Sequence, residues 1–205
     1  MSSSPVVIVL AAGLGSRYAG PRHKLAEPFG TSTVLGQTVG RAIASGLPVV
    51  VVTTPALVDD AKHWVARRDI VVLTGPQGPG AGGMGDSIAA GVSARAGAGG
   101  WLILPGDMPL VRPDSLNAVA AQLGQHPVCF AQFHGRRGHP VGFSAELYSD
   151  LVRLSGPDGA RRVLARYPAH ALELDDPGVL EDLDTVDDMA RMLAAADDGS
   201  PLSTF

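Results

Sequence analysis

The chain has 205 residues, 45% hydrophobic but only 5% aromatic, and a formal net charge of −4. That length fits one domain with a largely aliphatic core, and the acidic balance argues against a general nucleic-acid binder, which would carry a basic face. No apolar stretch approaches the ~20 residues that span a bilayer, and "MSSSPVVIVL" lacks the basic segment of a secretory signal, so a cytoplasmic protein is expected, with no membrane partner.

Residues 6–10 are a continuous β-branched run, the pattern of a strand buried on both faces, and residues 48–53, 70–73 and 101–104 repeat it. Between them, residues 34–44, 56–67, 87–95 and 113–123 carry helical spacing. Strands alternating with helices predict right-handed βαβ units and a mostly parallel sheet, hence an α/β fold. After Pro127 the texture changes. "PVCFAQF" and "PVGF" read as strands flanking a polar loop, "HGRRGH", which predicts a small mixed or antiparallel insertion in the C-terminal half. Helical material is expected over residues 145–167, then a strand over 169–174. Thr185 and Asp188 have capping-box spacing for a last helix. The domain is expected to run over residues 1–196, with 197–205 a frayed tail. The single cysteine, Cys129, sits in an apolar run and is read as a small core residue.

Five segments carry candidate chemistry. "LAAGLGSRYAGPRHKL" follows the first strand. Gly13 and Gly15 let the backbone approach a phosphate closely, and Arg17 and Lys24 add charge-assisted bonds to its oxygens. It is neither of the two common phosphate loops. Lys24 precedes Leu25 where a Walker loop needs Ser or Thr, and Tyr18 stands where a dinucleotide fingerprint needs its third glycine. "LPGDMP" places Asp107 after a buried strand, either as a Mg²⁺ ligand or as a turn aspartate among Pro105, Gly106 and Pro109. In an open parallel sheet both loops lie beyond the carboxyl ends of the strands, where ligands bind. "GRRGHPVGF" offers Arg137 and His139 to an anionic second substrate, the alternative being a structural histidine under Pro140. The glycine-rich "GPQGPGAGGMGDSIAAGV" leads into a helix with Ser87 near its start, either a lip over a ligand or a low-complexity loop. Asp184 is either a metal ligand or part of the last helix cap.

Together these segments resemble the MobA-like nucleotidyltransferases, and within them the molybdenum cofactor cytidylyltransferases, which implies a Rossmann-like, GT-A-type fold with a mostly parallel sheet in three α/β/α layers. "LAAGLGSR…KL" is similar to their L-A-A-G-x-G-x-R…K-L start, "GMGDSIAAG" to G-M-x-x-S-L-x-x-G, "LPGDMPLV" to their D-M/Q-P segment, and "GRRGHPVGF" to G-x-x-G-H-P-x-x-F. "LSGPDGARRVL" and "DLDTVDDM" extend the likeness to the end of the domain. The resemblance implies transfer of a nucleoside monophosphate, CMP from CTP on the evidence of Ala11-Ala12-Gly13, to the terminal phosphate of molybdopterin. Pyrophosphate leaves, with Mg²⁺ or alternatively Mn²⁺ as cofactor. By the same implication Arg17 and Lys24 hold the triphosphate, Asp107 and Asp184 the metal, and His139 and Arg137 the acceptor. Leu10, Ala11, Ala12, Gly13, Gly15, Gly83 and Ser87 line the nucleotide. Two departures stand out: the Arg17–Lys24 spacing is long, with Tyr18 where the family has methionine, and Pro157 precedes Asp158. The alternatives are the same chemistry with GTP or on another phosphate, such as a sugar phosphate or phospholactate, and a non-catalytic nucleotide-binding partner of a molybdoenzyme.

Overall fold

A β-branched run gains most from burial when helices cover both faces of its sheet, and that is the arrangement here. The computed structural model describes residues 3–13, 15, 18–20, 22–75, 78–79 and 82–197. The main sheet comprises β1 (Val6–Ala11), β2 (Val49–Thr53), β3 (Ile70–Val72), β4 (Gly100–Pro105), β5 (Val128–Phe133), β6 (Arg136–Ser144) and β7 (Ala169–Glu173). Their order across it is β7-β5-β6-β4-β1-β2-β3. Neighbours pair in parallel except β6, which runs antiparallel to both β4 and β5.

The helices are α1 (Val34–Ala44), α2 (Val58–Lys62), α3 (Met84–Ala94), α4 (Pro113–Gln122), α5 (Tyr148–Leu151), α6 (Arg161–Arg166) and α7 (Val186–Asp197). Alternate residues of β1 face opposite cores. Val7 and Val9 meet Leu35 and Val39 of α1, Leu116 of α4 and Met192 of α7, while Val6 and Ile8 join Ile88 and Val92 of α3, Leu151 of α5 and Val163 of α6. Each such buried side chain contributes about 1.5–3 kcal/mol. The three-layer α/β fold with an antiparallel element in its C-terminal half is therefore as expected.

The register of this sheet builds the site. Leu10 of β1 lies beside Pro105 of β4, so the loops that leave the two strands emerge side by side. Gly106 N–H donates to the Leu10 carbonyl at 2.8 Å, and a Cβ on Gly106 would stand 2.9 Å from that oxygen. Glycine is what lets the second loop lie so close to the first.

Three elements differ from expectation. The "HGRRGH" loop is only a two-residue turn, His134 (φ 49°) and Gly135 (φ 74°), with Phe133 paired to Arg136. Both turn residues have positive φ, as in the tight turns that match strand twist. Arg137 and His139 therefore sit on β6 itself, where the register shifts between Arg137 and Val141. Helical material over residues 145–167 is broken by Gly156 (φ 76°) and Gly159 (φ 56°), leaving short α5 and α6. The helix expected over residues 56–67 shrinks to α2, because His63 and Trp64 close it with tight i→i−3 bonds to Asp60 and Ala61. Trp64 then lies across Gly36 and Gly40 of α1.

Helix α3 seats against the sheet through Gly91, where a Cβ would come within 2.5 Å of the Ile8 Cγ2 and 3.0 Å of the Val52 Cγ2. Gly91→Val should lower the unfolding free energy by about 2 kcal/mol through overpacking, read from denaturant midpoints; an unchanged midpoint would show that α3 is not seated this way.

Candidate active site

Past β1, His23 turns back onto Gly13. Its ring Nε2 lies 3.0 Å from the Gly13 carbonyl, while its Nδ1 accepts the Leu25 N–H at 3.2 Å. An Nδ1 that accepts leaves the ring proton on Nε2, so the neutral ring donates to Gly13 and ties the start of the loop to its end. Gly15 in between takes a left-handed conformation (φ 61°) that glycine adopts without strain. A 3₁₀ turn, Lys24–Ala26, follows, and its buried Leu25 anchors it in the core.

That anchoring aims Lys24 at the loop after β4. Its Nζ donates to Asp107 Oδ2 at 2.5 Å, to the Leu183 carbonyl at 3.0 Å and to Asp184 Oδ1 at 3.3 Å. Burial alone would lower the Lys24 pKa, but the charges and hydrogen bonds of Asp107 and Asp184 outweigh it and raise it, so the ammonium is charged at neutral pH. Asp107 is steadied through its own backbone: its carbonyl accepts from Leu183 N–H at 3.0 Å. Next to it, the Gly106 carbonyl accepts from the buried Thr38 hydroxyl at 2.9 Å. Asp184 begins the cap of α7, and the expected capping box is present, with Asp188 N–H on Thr185 Oγ1 at 3.1 Å and Thr185 N–H on Asp188 Oδ2 at 2.8 Å.

The cleft around this cluster has two lobes that share Gly13, Gly15, Lys24, Met84, Pro105 and Asp107. The smaller, about 200 Å³, is lined by Leu10, Ala12, Gly83 and Ser87 as well. Its far wall is the start of α3, held by Asp86: Oδ2 accepts from Gly83 N–H at 2.8 Å and from Gly156 N–H at 2.9 Å. These backbone bonds, Gly156 first, keep the Asp86 carboxyl below the ordinary range. The contact is so close that a Cβ on Gly83 would fall 2.0 Å from the Gly156 carbonyl oxygen. The larger lobe, about 550 Å³, takes in Tyr18, Arg136, Arg137, His139, Asp182 and Asp184. Arg137 lays its guanidinium over the Phe130 ring at 4.7 Å, a cation–π contact that orients it. The Asp182 carboxyl is pushed up by burial and by the charges of Asp107 and Asp184.

Most of the residues singled out in the sequence thus meet in one cleft. Ala11 is an exception, fully buried with its side chain in the core and its carbonyl accepting from the Thr53 hydroxyl at 3.3 Å. Arg17 and residues 198–205 lie outside the described residues. His23, Asp86 and Thr38 escaped the sequence reading, since each acts through backbone groups that only the fold brings near. For a divalent ion, the two carboxylates and the Leu183 carbonyl form an all-oxygen donor set. Mg²⁺ or Mn²⁺ takes such sets with its remaining places left to water and phosphate oxygens. No group of three or more acidic, histidine or cysteine side chains converges on a metal position among the described residues. No helix there is long and apolar enough to cross a membrane.

A cleft at the carboxyl edge of a mostly parallel sheet is where open α/β proteins bind their ligands. Residues 7–172 match the MobA-like NTP transferase domain, and the chain belongs to that family. It is 37% identical over 108 residues to a phosphoenolpyruvate guanylyltransferase of Nocardia farcinica, a match that spans 50% of this chain and 45% of that protein. The solved structure of Rv0371c from Mycobacterium tuberculosis superimposes with a TM-score of 0.77 at 26% identity, covering 94% of this chain and 99% of that one. A manganese complex of Rv0371c gives 0.76 at 25% identity, over 94% and 100% of the two chains. Molybdopterin-guanine dinucleotide biosynthesis protein A of Archaeoglobus fulgidus shares the fold, with a TM-score of 0.69 at 14% identity over 95% of this chain and 100% of that one.

His139 is half-buried on β6, and desolvation followed by the Arg137 charge lowers its pKa from 6.5 to about 4. Its ring should stay neutral through neutral pH, and nitrogen shifts followed by NMR should titrate near pH 4; a midpoint near 6.5 would mean that the ring is exposed.

Proposed function

We propose that the cleft moves a nucleoside monophosphate from an NTP to the phosphate of a small anionic acceptor, with the triphosphate along the glycine loop and the acceptor in the larger lobe. The observation that carries this reading is the placement of Lys24 and Asp107 on the wall shared by the two lobes, with Asp184 beside Lys24 in the larger one. An acceptor phosphate oxygen attacks the α-phosphorus, the bond from that phosphorus to the bridging oxygen breaks, and pyrophosphate departs. Such a transfer needs positioning and charge neutralisation rather than a protein nucleophile. Lys24 grips the β- and γ-phosphates with Arg17. Gly13 and Gly15 offer backbone to the phosphates, and Gly83, Met84 and Ser87 border the base. Asp107 and Asp184 hold Mg²⁺, with Mn²⁺ the alternative, and that ion neutralises charge on the phosphates when bound.

For the substrates, guanylyl transfer to a phosphorylated carboxylic acid has the support of the Nocardia farcinica relative's name. Arg136 and Arg137 in the acceptor lobe also suit a carboxylate. Cytidylyl transfer to molybdopterin is the second reading, favoured by Ala11-Ala12-Gly13 and by the order of motifs along the chain.

Pyrophosphate release should be measured with each of GTP, CTP, ATP and UTP against phosphoenolpyruvate and molybdopterin, with Mg²⁺. Release with GTP and the phosphorylated acid supports the first reading, and release with CTP and the pterin supports the second. Silence from every pair would remove the transferase reading of the cleft. Asp107→Ala should keep the circular dichroism of the parent and lose about a hundredfold or more of turnover; near-full activity would exclude Asp107 as a ligand. Asp86→Ala frees the Gly83 and Gly156 amides and lets the wall of the smaller lobe drift. It should raise the KM for NTP about tenfold with the acceptor KM unchanged, and equal changes in both would dissociate Asp86 from the nucleotide side.

A further inference from the structure

The three oxygens around Lys24 Nζ come from two loops remote in sequence: Asp107 Oδ2 at 2.5 Å, the Leu183 carbonyl at 3.0 Å and Asp184 Oδ1 at 3.3 Å. Two carboxylates and a carbonyl are the donors a hard cation takes, and here they surround an ammonium. We infer that Lys24 is the counter-cation of the metal site itself: it fills that site until a triphosphate draws it away, so that metal and nucleotide each bind more tightly in the presence of the other. The inference rests on the assignment of this cleft to an NTP and its divalent ion.

Three physical points carry it. First, an ammonium within 2.5–3.3 Å of both carboxylates cannot share them with a dication. At such separations like charges repel by several kcal/mol even at an effective dielectric constant of about 20. Second, the exchange neutralises the cluster. Two carboxylates and one ammonium carry one net negative charge; once the ammonium leaves, two negative charges face a dication, and Lys24 meets new anions on the phosphates. Without a triphosphate the departing ammonium would give up three acceptors and gain only water. Third, Lys24 has somewhere to go. It borders both lobes of the cleft, and its aliphatic stem runs against Gly15, where an added Cβ would stand 3.3 Å from Lys24 Cγ. The backbone at Leu25 and His23 is fixed by burial and by a hydrogen bond, so a swing of the side chain alone carries Nζ from the carboxylates to the phosphate loop.

Coupling of this kind is reciprocal, because each ligand must change the other's affinity by one factor. The test is Mn²⁺ binding by the full chain, read from the electron paramagnetic resonance signal of the free ion, with and without α,β-methylene analogues of GTP and CTP. The parent should bind Mn²⁺ alone weakly, and the analogue that binds should tighten it about tenfold or more. Lys24→Met should bind Mn²⁺ alone about tenfold tighter than the parent and show a smaller further gain from the analogue than the parent does. Lys24→Arg keeps a cation in place and should stay as weak as the parent. Equal affinity of the parent and Lys24→Met for Mn²⁺ alone would overturn the proposal, as would undiminished coupling in Lys24→Met. If neither analogue bound to any form, the NTP assignment would fall, while the comparison of Mn²⁺ alone between parent and Lys24→Met would still decide whether Lys24 guards the site.

Discussion

One ion pair ties together parts of the chain that share little else. Lys24 follows the first strand, Asp107 follows the fourth, and Leu183 and Asp184 precede the last helix, yet all four meet around one nitrogen. Their meeting depends on the sheet. Parallel pairing of β1 with β4 brings Leu10 beside Pro105, and Gly106 lets the two loops touch. Both partners are hydrogen-bonded within the partly buried pair, and removing one would leave the other's charge buried without a partner, at a cost of several kcal/mol. A ligand that disturbs this cluster must supply equivalent charges, which a metal-bound triphosphate does.

Around the cluster, the fold spends its polar groups on holding loops rather than on filling the core. His23 reaches back to Gly13 after β1, Thr38 and Leu183 steady the loop of Asp107, and Asp86 staples α3 to Gly156. Each bond secures a backbone segment that borders the cleft, so preorganisation comes from many modest bonds, each worth about 1 kcal/mol. A site that works by positioning needs that support, because its side chains supply little chemistry of their own.

The sequence carried the frame more fully than the larger lobe of the cleft. Strands β1, β2 and β4 were legible because continuous β-branched runs buried on both faces have few other outcomes. Lys24 and Asp107 were legible because glycine, proline and charge stood together directly after such runs. Strand β6 was hidden: Arg136, Arg137, Gly138 and His139 look like a loop, and only pairing with β5 and a tight turn at His134-Gly135 make them a strand. The break at Gly156 and Gly159 was hidden for a different reason, since helical spacing on either side masked two left-handed glycines whose role is to carry Gly156 to Asp86. Contacts that run from a side chain to a distant backbone amide leave no periodicity to read.

A structure of the protein with Mn²⁺ and a non-hydrolysable NTP analogue would test the central claim most directly, with manganese located by its anomalous scattering. The account predicts manganese between Asp107 and Asp184, and Lys24 Nζ moved from those carboxylates to the β- or γ-phosphate. Nucleotide bound with Lys24 still on Asp107, or manganese lodged away from both aspartates, would contradict it.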